Sequence, residues 1–246
     1  MTDRTAGDGG ILCIAHRGDW LTYRENTILA LRSAIDAGAD VVEIDVKTTS
    51  DGVSIVLHDD SLLRFWKVDR DIRTMTAAEV AAVLGDHADD RIPTLEEALA
   101  LFSGTSTAVL IDLDSVDWVE AAMYAVRRAV DAGHLRASQV IWCGCTDGVR
   151  RVRSADSNAR IFLSWGEEAR GGPPDDELLQ VLRPEAFNPY WRVVKAGGRD
   201  WARSKGLALS CWTVDDPDLM RQLVEAGVDA MISNRIHELL EVVQGA

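Results

Sequence analysis

Cysteine and histidine are scarce in this chain, with four and five residues respectively among 246. The cysteines (Cys13, Cys143, Cys145 and Cys211) show no spaced framework, which excludes a disulfide-stapled scaffold. Most lie in or beside apolar runs and read as buried thiols. Cys143 and Cys145 flank a single glycine, but no second cysteine pair lies near enough in sequence to complete a zinc site. Long hydrophobic runs are missing as well. None approaches the roughly 20 residues that span a bilayer, so no transmembrane segment is expected. The opening residues MTDRTAGDGG lack the apolar core of a secretory signal. Together these absences make a reducing, cytoplasmic location the expectation.

Positive charge is in deficit: 26 Lys and Arg face 40 Asp and Glu, a net charge of -14. A surface this acidic argues against nucleic acid and anionic membranes as partners. A small anionic substrate stays compatible with it, because one metal ion or arginine reverses the sign of the field inside a pocket. No G-x-G-x-x-G follows the first strand, which argues against a dinucleotide-binding, doubly wound sheet.

What is present is a rhythm. Short apolar segments begin at Ile11, Asp40, Ala108, Ser138, Ala159, Ala186, Leu207 and Asp229, and helical patterns lie between them. NTILALRSAIDAG carries Ile28, Leu31 and Ile35 on one face, with Asn26 or Thr27 as cap and Gly38 as terminator. Thr76 with Glu79, and Thr94 with Glu97, fit capping boxes. Asp216 caps a helix that has Pro217 in its first turn. Eight strands alternating with helices over this length predict an α/β fold, a (β/α)8 TIM barrel. The expected organisation is a loose tail over 1–10 and a single barrel domain over 11–246, with an insertion at about 61–91. Nothing in the pattern specifies an oligomeric state.

Active sites of such barrels lie where the strands end at their C-terminal face. The groups expected there are His16 and Arg17 after the first strand, Glu43 and Asp45 on the second, His58 and Asp59 after a short returning strand, Asp112 and Asp114 at the third, and Trp212 at the seventh. Glu43 and Asp45 are two apart and face the same way, as do Asp112 and Asp114. Carboxylates pointing inward from apolar strands need a counter-charge. Arginine can supply it, and so can a hard, oxygen-liganded cation, Mg²⁺ or Ca²⁺. His16 and His58 each end a buried run beside a charged residue and suit acid–base work. Arg17 offers a planar fork for a phosphate or carboxylate, or for an ion pair with Glu25 or Glu43. His87, His134 and His237 lie in polar or helical surroundings and read as surface residues.

The segments AHRG (Ala15–Gly18), ENT (Glu25–Thr27), VEIDV (Val42–Val46), LHDDSLLR (Leu57–Arg64), IPTLEEAL (Ile92–Leu99), CWTVDD (Cys211–Asp216) and GVDAMIS (Gly227–Ser233) together resemble the glycerophosphodiester phosphodiesterase family. They stand in that family's order from about residue 11 to 240. The resemblance implies a TIM barrel that hydrolyses a small-molecule phosphodiester to glycerol phosphate and an alcohol. It implies His16 and His58 as the acid–base pair, Arg17 as a phosphate contact, and Glu43, Asp45 and Asp112 as ligands of a divalent metal. Trp212 and Asp114 are expected to touch substrate. Two departures stand at the third strand, where Asp112 and Asp114 replace the family's Glu-x-Lys; near the end, SNR (Ser233–Arg235) replaces its usual Thr-Asp ending. An aspartate at 112 also resembles the sphingomyelinase D type of barrel, which forms a cyclic phosphate. An aspartate at 114, beside the phosphate, motivates a third expectation: an anion-binding relative with little turnover.

Overall fold

Alternation within the apolar runs determines how the strands assemble, because successive residues of a strand face opposite ways. The computed structural model describes residues 10–83, 91–166 and 172–245. The tail expected at 1–10 falls outside these residues save for Gly10, and so do His87 and the last part of the expected insertion. The strands are β1 (Leu12–His16), β2 (Val41–Thr48), β3 (Ser54–Val56), β4 (Ser61–Leu62), β5 (Val68–Asp71), β6 (Ala108–Leu113), β7 (Val140–Gly144), β8 (Arg160–Trp165), β9 (Ala186–Pro189), β10 (Ala208–Cys211) and β11 (Ala230–Ser233). Eight of them, β1, β2 and β6 to β11, pair in parallel, and β11 returns to β1 to close a barrel. All eight strand positions read from the sequence are therefore occupied, within one or two residues of the expected starts.

Leu12, Ile14, Val41, Leu110, Ile141 and Phe162 point into the barrel and fill it with one apolar cluster. The alternate residues, such as Cys13, Val42, Ile44, Val109 and Ile111, face outward into a second cluster shared with the surrounding helices. Each large side chain removed from water here stabilises the fold by about 2 kcal/mol before entropy is counted.

The helices begin where capping chemistry puts them. Thr27 Oγ1 accepts from the Ala30 amide and starts helix Ile28–Asp36. Both Thr94 with Glu97 and Thr76 with Glu79 close reciprocal capping boxes. Asp216 caps helix Pro217–Glu225. The segment read as broken helix is helix Trp191–Val193, a π-helical turn Val194–Gly198, and helix Arg199–Ser204. No helix among the described residues is long and apolar enough to cross a membrane.

Between β3 and β6 the described part of the insertion forms a small unit of its own. β4 pairs antiparallel with β5, and helix Leu63–Trp66 joins them. Leu62, Ile72, Met75 and Val80 pack with Ile55, Leu57 and Ile92 in a third apolar cluster. β3 runs antiparallel to β2, and this delivers His58 and Asp59 to the barrel mouth.

Candidate active site

The inward residues change character toward the C-terminal ends of the strands. Ile14 is followed by His16, Val41 by Glu43 and Asp45, and Leu110 by Asp112. Continuing the same two-residue step, Ile141 leads to Cys143, Phe162 to Ser164, Ala186 to Asn188, and Ile232 to Asn234. The polar ends surround one cavity of about 380 Å³ whose lining includes His16, Arg17, Glu43, Asp45, His58 and Asp112. Asp114 and Trp212 also line it. Of the groups expected at the strand ends, Asp59 alone does not line the cavity, and neither His134 nor His237 lines it.

Close backbone approach makes this possible at two glycines. Gly18 has φ +79°, and a Cβ there would lie 2.6 Å from the Ala30 carbonyl carbon, so only glycine lets the His16-Arg17 turn rest on helix Ile28–Asp36. Gly144 has φ +103°, and a Cβ there would meet the Leu113 carbonyl oxygen at 2.3 Å and Asp112 Oδ1 at 2.5 Å. Its bareness is what allows the β7 backbone to lie against Asp112.

The cavity carries a surplus of buried negative charge. Burial, with Asp45 and Asp112 adding repulsion, holds the Glu43 carboxyl well above its usual range. Burial and the carboxylates of Asp45 and Asp114 push Asp112 up to about 7. Arg17 is the cation among them: its Nη1 donates to Glu25 Oε1 at 3.0 Å, and its Nε lies 3.1 Å from Asp45 Oδ2. The Arg17 amide donates to Glu43 Oε2 at 2.9 Å, and Asn26 Nδ2 to Asp45 Oδ2 at 2.8 Å. Glu43 and Asp45 therefore each have one oxygen held by the protein. An all-oxygen donor set, in which Glu43 and Asp112 resist ionisation for want of a counter-charge, has the chemistry that suits a hard divalent cation. Among the described residues, however, no three His, Cys, Asp or Glu side chains converge as a closed metal cage. Glu43, Asp45 and Asp112 share the cavity without meeting at one point.

Asn234 fixes the ring of His16. The Trp20 indole N–H can only donate, and it points at Asn234 Oδ1 from 2.6 Å. That oxygen also lies 2.6 Å from His16 Nδ1, so Nδ1 bears the hydrogen and donates it. Asn234 Nδ2 donates to Asp215 Oδ2 at 2.6 Å, which locks the amide. His16 is thereby left with the Nε2 lone pair toward the cavity, 3.9 Å from Glu43 Oε2. Burial first, then Arg17, lowers its pKa, so the ring is neutral at pH 7.

His58 is held by another chain of contacts. Its Nδ1 lies 2.7 Å from Asp59 Oδ1, and Arg64 Nε donates to Asp59 Oδ2 at 2.7 Å. Burial tends to raise the Asp59 pKa, but hydrogen bonds from His58 and Arg64 bring it below the usual carboxylate range. Arg64 also donates to Glu25, the buried carboxylate that holds Arg17. Glu25 therefore ties the Arg17 side of the mouth to the His58 side. The parity of the inward residues was the available signal for Ser164, Asn188 and Asn234. Arg64, brought in by the insertion, carried no such signal.

Asp114 stands where the family's lysine was expected. It is half-exposed, pairs with the buried ammonium of Lys47, and accepts from Trp118 Nε1 at 2.6 Å. Lys47 is the next inward residue of β2 after Asp45, so an ion pair spans the β2–β6 seam. Trp66 lies in the insertion under the Arg24 guanidinium, 5.1 Å from its ring centre, and Trp20 serves Asn234; neither lines the cavity. His237 is exposed, as expected, and its Nε2 lies 3.1 Å from Asp19 Oδ2.

Residues 16–238 match the sequence model of the glycerophosphoryl diester phosphodiesterase family. The chain belongs to the glycerophosphoryl diester phosphodiesterase family. Within it, a glycerophosphodiester phosphodiesterase of Caldanaerobacter subterraneus is 27% identical over 242 residues, covering 95% of this chain and 98% of that protein. Among solved family structures, a phosphodiesterase of Oleispira antarctica in complex with the product sn-glycerol-3-phosphate superposes with a TM-score of 0.82 at 21% identity, covering 98% of this chain and all (100%) of that one. A glycerophosphodiester phosphodiesterase of Thermotoga maritima gives a TM-score of 0.74 at 24% identity, with 94% and 98% covered. These two likenesses establish the fold of the family member described here.

Proposed function

We propose that this chain hydrolyses glycerophosphodiesters to glycerol phosphate and a free alcohol, using His16 and His58 as the proton carriers. One observation supports this most: the Trp20–Asn234–His16 chain leaves the neutral His16 ring with an open Nε2 at the same cavity that His58 lines. His16 Nε2 accepts a proton from the attacking hydroxyl as its oxygen bonds to phosphorus. Arg17, oriented by Glu25 and Asp45, holds a phosphoryl oxygen. As the bond from phosphorus to the alcohol oxygen breaks, His58 delivers a proton to that oxygen, with Asp59 stabilising its protonated ring. A divalent ion, Mg²⁺ or Ca²⁺, would be held by Glu43, Asp45 and Asp112, and when bound it supplies charge neutralisation at the phosphoryl group.

The test is a panel of glycerophosphodiesters assayed with Mg²⁺, with Ca²⁺ and with EDTA, the products followed by ³¹P NMR. Glycerol phosphate as an open monoester, formed only with a divalent ion present, is the expected product. A cyclic phosphate would instead show that a substrate hydroxyl is the final nucleophile, as in the sphingomyelinase D type. Binding without turnover under every condition would contradict the proposal. The pairing of Asp114 with Lys47 supports the catalytic reading over that last outcome.

A further inference from the structure

The cavity wall is divided. Its charged groups come from β1, β2 and β6 and from the insertion side, whereas β7 to β11 contribute Cys143, Ser164, Asn188, Trp212 and Ile232, none of them charged at pH 7. A phosphodiester anchored on the charged arc must lay its organic part along the neutral one. Among the described residues of that arc that line the cavity, Asn188, only 1% exposed, carries a buried side-chain oxygen, Oδ1, without a partner. Leaving such an acceptor unpaired is costly, and a ligand group that bonds to it removes that cost.

The neighbouring groups are arranged so that this oxygen stays open. Asn188 stands opposite Ser164 in the β8–β9 register, and its Nδ2 donates to Ser164 Oγ at 3.4 Å. Ser164 Oγ also accepts from the Gly144 amide at 3.2 Å. The Asn188 main-chain oxygen accepts from Trp212 Nε1 at 2.9 Å, which fixes the indole beside it. A neutral acceptor beside an aromatic face has no use for a phosphate oxygen. It suits a hydroxyl on a short carbon chain.

We propose that Asn188 Oδ1 accepts a hydrogen bond from a glycerol hydroxyl of the substrate, making Asn188 a specificity-determining residue with Ser164 and Trp212 as its supports. This rests on the phosphodiesterase reading above and extends it to the part of the substrate that does not react. The experiment compares kcat/KM for glycerophosphoethanolamine with that for two analogues, in which 1,2-propanediol or 1,3-propanediol replaces glycerol, for the wild type and for Asn188→Ala. Wild-type enzyme is expected to lose about 10- to 100-fold on the analogue that lacks the bonded hydroxyl. N188A, checked for folding by circular dichroism, is expected to lose a similar factor on the parent substrate and less than about threefold more on that analogue, because the two deletions remove the same bond. Turnover of all three substrates at similar rates by wild-type enzyme would overturn the subsite alone, whatever the fate of the variant. So would an equal penalty from N188A on all three. Turnover of none would overturn the phosphodiesterase reading and the subsite with it.

Discussion

Cation binding at this mouth is expected to expel protons, and the number expelled follows from the carboxylates already there. Asp112 is pushed up to about 7, so below that pH it is largely protonated in the metal-free protein. A divalent ion requires its carboxylate form, so the apparent affinity must fall as pH drops below 7. For Asp112 alone, going from pH 7.5 to pH 5.5 weakens binding about 25-fold, equivalent to about 2 kcal/mol. Glu43, also held well above its usual range, steepens the dependence further. The sign for stability agrees. A carboxyl raised in the folded state favours folding most below its unfolded value of 3.8, and that advantage is lost as pH rises through about 7. Cation binding should offset this loss, so the shift in melting temperature caused by Mg²⁺ or Ca²⁺ is expected to grow between pH 5.5 and 7.5. Calorimetric titration in two buffers of different ionisation heat counts the protons directly. At pH 6.5 the expected release is between about half a proton and two per ion. An affinity flat across this range, or no proton release, would refute the reasoning.

Two further perturbations follow from the same geometry. Asp114→Lys sets a second cation against buried Lys47 and leaves the Trp118 indole without its acceptor, so it should destabilise the protein by about 2 kcal/mol in chemical denaturation and lower activity; a gain of activity would show that the Lys47–Asp114 pair is not needed. Gly18→Ala requires a left-handed alanine pressed against the Ala30 carbonyl, a cost of about 3 kcal/mol that should also displace His16 and Arg17 and depress kcat; unchanged stability would mean that the close approach is not fixed.

The barrel was legible because its signals are redundant. Each apolar run has its own helix partner, caps such as Thr94–Glu97 mark the starts, and glycines such as Gly38 and Gly227 mark the ends. The charged arc was legible because histidines and carboxylates are conspicuous at the ends of apolar strands. What the sequence did not show was pairing across the mouth. Lys47 and Asp114 are far apart in sequence and meet only because β2 and β6 are neighbours in register, so Asp114 read alone looked like an unpaired anion. Asn234 was noted only as a departure, because an amide gives no sign of its role until its donor-only neighbour Trp20 is placed. Arg64 reaches Asp59 and Glu25 only through the fold of the insertion, which no periodicity specifies.

The division of labour between the two imidazoles is tested most directly by leaving-group dependence. His16→Ala and His58→Ala would each be assayed on glycerophosphocholine and on the p-nitrophenyl diester of glycerol phosphate, whose leaving group needs no proton. The account predicts a loss of about 10²- to 10⁴-fold for both variants on glycerophosphocholine. On the p-nitrophenyl ester H58A should recover most of its rate, while H16A stays slow. Full activity of H16A on either substrate, or equal losses by H58A on both, would contradict it.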